Sequence, residues 1–133
     1  MKYIKSYKLF ESMDMYENTL ITVKEFNDLV KERSILMTDE EVLEITNHIN
    51  KKYSSKYNIE ISHIEHWVLI YLIYFMSGKS KITLEHTISI YKLTDEWFAI
   101  SYDISSRIST TYYKCDEMQG LFNQIDELFD LYV

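Results

Sequence analysis

The chain has 133 residues, of which 47% are hydrophobic and 15% aromatic, enough for one packed domain and too apolar for disorder. Fourteen Lys and Arg against 21 Asp and Glu give a net charge of −7, which opposes non-specific contact with nucleic-acid backbones or anionic membranes. Two glycines, no proline and one cysteine exclude glycine-clustered phosphate loops, a disulfide framework and a multi-cysteine zinc site.

Residues 2–10 alternate weakly, with Ile4 and Phe10 against Tyr3, Tyr7 and Leu9, as an edge strand or a docked arm would. The early lysines are followed by no apolar stretch of signal-peptide type. The longest apolar run, Trp67 to Met76, is about half a bilayer span. A soluble, cytoplasmic protein, with Cys115 reduced, is the expectation.

Thr22 with Glu25, and Thr38 with Glu41, have the spacing at which a hydroxyl and a carboxylate cap a helix reciprocally. They predict helices near 23–33, with a stripe of Val23, Phe26 and Val30, and near 39–54, with Val42, Ile45, Ile49 and Tyr53 inward. Ile59 and Ile61 suggest a short extended piece. Ser62 and Glu65 can then cap a further helix carrying Ile64, Trp67, Val68, Tyr71, Leu72 and Phe75, ending at Gly78. The β-branched and aromatic content of that segment favours a strand, but its length favours a buried helix, which is the expectation.

After Gly78 the period changes to two. Ile82, Leu84, Ile88 and Ile90 share a strand face with His86, and Thr94-Asp95-Glu96 is a turn. Phe98, Ile100, Tyr102 and Ile104 alternate with Trp97, Ala99, Ser101 and Asp103, and after a polar stretch Thr110 to Cys115 forms a third strand. Asp116 and Gln119 resemble a third cap, ahead of a helix with Met118, Leu121, Phe122, Ile125, Leu128, Phe129 and Tyr132 on one side. The expected fold is α+β: a three-stranded antiparallel meander, a C-terminal helix packed on it, and two to three N-terminal helices, in a single domain over 1–133.

Candidate chemistry is sparse. His63 and His66 lie three apart, not in the four-apart arrangement of common zinc hydrolases, and a third ligand would have to be His86 or Cys115. Cys115 with His86 would make a nucleophile pair, yet nearby carboxylates would raise the thiol pKa rather than lower it. Neither a cofactor nor a metal is expected. Tyr112 and Tyr113 beside Lys114, with Arg107 near, would suit stacking on single-stranded RNA, although the glycine-containing signature of RNA-binding sheets is missing. Twelve tyrosines exceed what a core of this size hides together with six Phe and two Trp, so some are expected at a recognition surface. Asp116, Glu117, Asp126, Glu127 and Asp130 fall in the last 18 residues, which hold no Lys or Arg. Such a face suits a basic protein partner.

Residues 88–121, with Ile90, Lys92-Leu93, Asp95-Glu96-Trp97-Phe98, Tyr112-Tyr113-Lys114-Cys115-Asp116 and Gly120-Leu121, resemble small uncharacterised phage and mobile-element proteins of AT-rich bacteria. A lone acidic, Tyr-rich domain of this size also resembles anti-CRISPR inhibitors. That resemblance implies a non-enzymatic protein that binds a large basic effector or ribonucleoprotein, with an RNA-cleaving type VI effector as the specific expectation. Asp116, Glu117, Asp126, Glu127, Asp130, Tyr112 and Tyr113 would carry the contact, with no direct DNA or membrane binding. A sheet-based RNA-binding module and a small Cys/His-dependent enzyme are the alternatives.

Overall fold

The computed structural model describes residues 18–64, 67–76, 82–104 and 109–132. The strand or arm expected at 2–10, His66, the stop at Gly78 and Arg107 lie outside the described residues.

After a short strand, β1 (Thr19–Ile21), helix α1 (Val23–Arg33) begins where the cap spacing places it. The Glu25 N–H donates to Thr22 Oγ1, and the Thr22 N–H donates to Glu25 Oε1, both at 3.1 Å. A two-residue strand, β2 (Ser34–Ile35), precedes α2 (Asp39–Lys52), which is capped the same way by Thr38 and Glu41 at 3.2 and 2.9 Å. Each box satisfies two backbone donors that the first turn would otherwise leave open. Phe26, Ile45, Ile49 and Tyr53 are buried as the stripes require, whereas Val23 is exposed.

Ile59 and Ile61 are extended as expected, but the stretch that follows is strand and not the expected helix. β3 (Asn58–Ile64) and β4 (Trp67–Met76) pair antiparallel with Ile64 opposite Trp67, so only two residues join them. Those residues, Glu65 and His66, carry no turn signal, and a run apolar at nearly every position fits a helical period as readily as a strand's. Its β-branched and aromatic bulk decides the outcome, and over Trp67–Tyr71 it packs on both sides of the pleat, Val68 and Ile70 in the core and Trp67 stacked on Tyr91.

β5 (Ile82–Leu93), a 3-10 turn (Thr94–Glu96), β6 (Trp97–Ile104) and β7 (Ser109–Asp116) follow, and α3 (Glu117–Tyr132) closes the described chain. All pairings are antiparallel, in the order β1-β7-β6-β5-β4-β3, with β2 against the end of β5. The expected three-stranded meander is therefore corrected. Among the described residues there is one seven-stranded sheet with three helices, two of them before the hairpin and one after the last strand. β1 and β2 were not legible, because their partners lie far along the chain: Thr19 pairs with Lys114 and Ser34 with Leu93.

Alternation along the strands makes two faces. Val68, Ile70, Ile88, Ile90, Phe98, Ile100, Tyr102 and Cys115 point to one, and α2 and α3 cover it with Ile45, Ile49, Leu121, Ile125, Leu128 and Phe129. Leu93 and Ala99 point to the other, beneath Phe26 of α1. The layers are thus α1, sheet, and the α2–α3 pair. Burial of each large aliphatic side chain contributes about 2 kcal/mol. At the β5–β6 corner, Asp95 and Glu96 hold φ of 60° and 62°, a left-handed conformation costing about 1 kcal/mol per non-glycine residue. Arg33 offsets this by donating to Thr94 Oγ1 at 2.9 Å and pairing with Asp95 at 3.1 Å.

Candidate functional site

The acidic residues expected to meet a partner are divided by α3. Its buried side, Leu121, Ile125, Leu128 and Phe129, packs on the sheet and α2. The opposite side carries Gln119, Asn123, Glu127 and Asp130, all exposed. Glu117, also exposed, opens the helix with φ of 62°. The Gln119 side-chain amide donates along the helix to Asn123 Oδ1 at 3.0 Å, and that of Gln124 donates to Glu127 at 3.2 Å. Asp116 is half-buried, and its backbone N–H donates to Asn18 Oδ1 at 3.2 Å. Asn18 Nδ2 in turn donates to the Gly120 carbonyl at 2.8 Å. Gly120 lies buried under this contact, so the close approach that its missing side chain permits is made by the chain itself.

Asp126 is different in kind from Glu127. It sits between α3 and α2 and receives three hydrogen bonds: Tyr53 Oη at 2.6 Å, His48 Nε2 at 2.8 Å and Lys52 Nζ at 2.9 Å. Two ring stacks flank it, His48 on Phe122 at 4.2 Å and Tyr53 on Phe129 at 3.8 Å. Burial alone would raise the Asp126 pKa, but the bonds from Tyr53, Lys52 and His48 outweigh it and hold the carboxyl below its ordinary value. Burial and then the Asp126 carboxylate push the Tyr53 phenol up. Asp126 therefore fastens two helices together. The sequence does not reveal it, because His48, Lys52 and Tyr53 become its neighbours only once α2 and α3 pack. A second fastener, the half-buried Glu41–Lys92 ion pair, ties the start of α2 to β5. Burial acts to raise the Glu41 pKa, but Lys92 and the Thr38 cap together lower it.

Tyr112 and Tyr113 point to opposite faces of β7. The ring of Tyr112 lies 4.8 Å from Phe26 under α1, and Tyr113 packs against the α2–α3 core, so the two do not form one stacking platform. Lys114 is on the Tyr112 face with its ammonium 4.4 Å from the Trp97 ring. None of the described tyrosines whose side chains are placed is exposed. Among the described residues the exposed large apolar side chains are instead aliphatic: Leu20, Val23, Ile35, Leu36, Leu43 and Ile64. Leu20 and Val23 border an open groove of about 480 Å³ that Ile21, Thr110 and Tyr112 also line.

Cys115 and His86 project to the same face but far apart. Cys115 pairs with Phe98 and His86 with Ile104, six residues along β6, or about 20 Å. Burial, with a smaller effect from Glu127, pushes the Cys115 thiol up, and burial lowers the pKa of His86, whose Nδ1 lies 2.6 Å from Tyr102 Oη. The two cannot act as one nucleophile–base pair. His63 is exposed on β3, and among the described residues no cluster of three His, Cys, Asp or Glu side chains could hold a metal. Among those residues, too, no helix is long and apolar enough to cross a membrane. Comparison with known protein families, with curated proteins and with solved structures finds no match for the chain.

Proposed function

We propose that this protein is a non-enzymatic binding protein that inhibits a nucleic-acid-targeting defence effector of a bacterial host. It would act in the manner of anti-CRISPR proteins, with an RNA-cleaving type VI effector as the specific target. The observation that supports this reading is the outer side of α3. Glu127 and Asp130 stand exposed there, with Glu117 at the helix start, on an element whose other side is fixed by the core and by Asp126. A negative surface held in place this way steers a basic partner and loses little entropy on binding. Asp126 supports the face by fastening α3 to α2.

The test is cleavage of a fluorescent RNA reporter by a purified, guide-loaded type VI effector. Stoichiometric addition of the protein abolishes cleavage, and the double change Glu127→Lys and Asp130→Lys slows association about tenfold at 50 mM salt. Undiminished cleavage at tenfold excess, with no complex at that salt, would exclude the reading.

A further inference from the structure

We propose that β3 is a self-association edge, whose outer side takes the β3 of a second copy, antiparallel, across a two-fold axis at Ile61. Among the described residues β3 ends the strand order and pairs with β4 alone. An edge strand directs alternate backbone donors and acceptors outward, and only an extended segment matches such a ladder. Seven successive residues, Asn58 to Ile64, pair with β4 without a break in register, so the template is regular. The other end of the sheet, β1, is three residues long and offers much less. Features that keep edges apart are missing from β3: it has no proline and no lysine, and its one carboxylate is Glu60.

The sequence of the strand selects the occupant. A two-fold axis perpendicular to the sheet at Ile61 places Glu60 opposite Ser62 of the second copy, Ile59 opposite His63, Asn58 opposite Ile64, and Ile61 opposite itself. All seven residues pair, and no carboxylate directly faces a carboxylate. Centred on Glu60 instead, the two carboxylates would meet head-on, which is destabilising. Ile59 and Ile61 already pack against the helix-side core, so this register continues that core across the junction. A basic peptide, another extended occupant, would find a single counter-charge on the strand, Glu60.

Seven paired residues bury less than the roughly 1,200 Å² of a stable dimer, so association is weak, with Kd on the order of 100 μM. Each copy carries a net charge of −7, and added salt screens their repulsion and strengthens pairing. That sign is opposite to the one for a basic partner on α3, so the two ideas fail separately. A perpendicular two-fold also sets both α3 helices on one side of the joined sheet.

Sedimentation equilibrium from 10 μM to 1 mM, at 50 and 500 mM NaCl, tests the proposal with two variants at exposed Ser62. Ser62→Glu, set against the partner's Glu60, weakens association about tenfold. Ser62→Lys tightens it about as much. Amides of residues 58–64 gain exchange protection as concentration rises. A monomer at 1 mM in both salts, protection independent of concentration, or association indifferent to both variants would each overturn it.

Discussion

The two faces of the sheet are built to different standards. On the α2–α3 side a continuous cluster runs from Met37 to Phe129, and the contacts of Asp126 with His48 and Lys52 and of Glu41 with Lys92 bolt the helices down. On the α1 side the buried cluster among the described residues is Phe26, Leu93 and Ala99, and Ile21 and Tyr112 beside it line an open groove. Stability is thus concentrated on one face, and the other tolerates change.

The contrast is broken most directly by paired truncations. Ile125→Ala removes a fully buried side chain from the helix-side core and costs about 3 kcal/mol, whereas Leu29→Ala, half-buried on α1, costs about 1 kcal/mol, both read by urea denaturation. Equal costs would mean that α1 holds the fold as firmly as α2 and α3.

A sharper probe is pH. The folded pKa values of Asp126 and Glu41 are depressed, so their stabilisation is present above about pH 4, where unfolded carboxyls ionise, and is lost as pH falls through the folded values. His86 is also depressed, so its contribution is present above about pH 6.5 and declines as pH falls through its folded value. Urea midpoints should therefore decline gently below about pH 6.5 and more steeply below about pH 4. Asp126→Asn keeps the shape, costs about 2 kcal/mol at pH 7 and flattens the acid limb. An acid limb as steep as that of the parent protein would remove Asp126 from the account.

The smallest effect separates the helices themselves. Thr38→Ala and Thr22→Ala each cost about 1 kcal/mol of helix stability. The first lowers the global midpoint because α2 is part of the main core. The second raises amide exchange across 23–33 with little change in the midpoint. Identical exchange patterns would erase the distinction between the faces.

What could be read from the sequence tracks how local each interaction is. Both capping boxes, the alternation of β6, and the apolar stripe of α3 from Met118 to Phe129 are written within a few residues, and they stand where the spacing places them. The β3–β4 hairpin was hidden because Ile64 and Trp67 are joined by Glu65 and His66 rather than by Gly or Asn. β1 and β2 were hidden because their partners lie far along the chain. The acidic side of α3 was legible as composition. Asp126 was not separable from Glu127 there, since one residue step on a helix turns the side chain by about 100° toward α2 or toward solvent.

The way the sheet is strung together bears on how it assembles. From β3 to β7 each strand pairs with the next in sequence, so most of the ladder can zip from short loops with little entropic penalty. β1 alone must reach across roughly a hundred residues, Thr19 to Lys114, and it has only three residues with which to hold on. It should therefore join last during refolding and detach first on denaturation. The 133-residue sequence contains no proline, so no slow prolyl isomerisation is available to mask that final step in a stopped-flow trace.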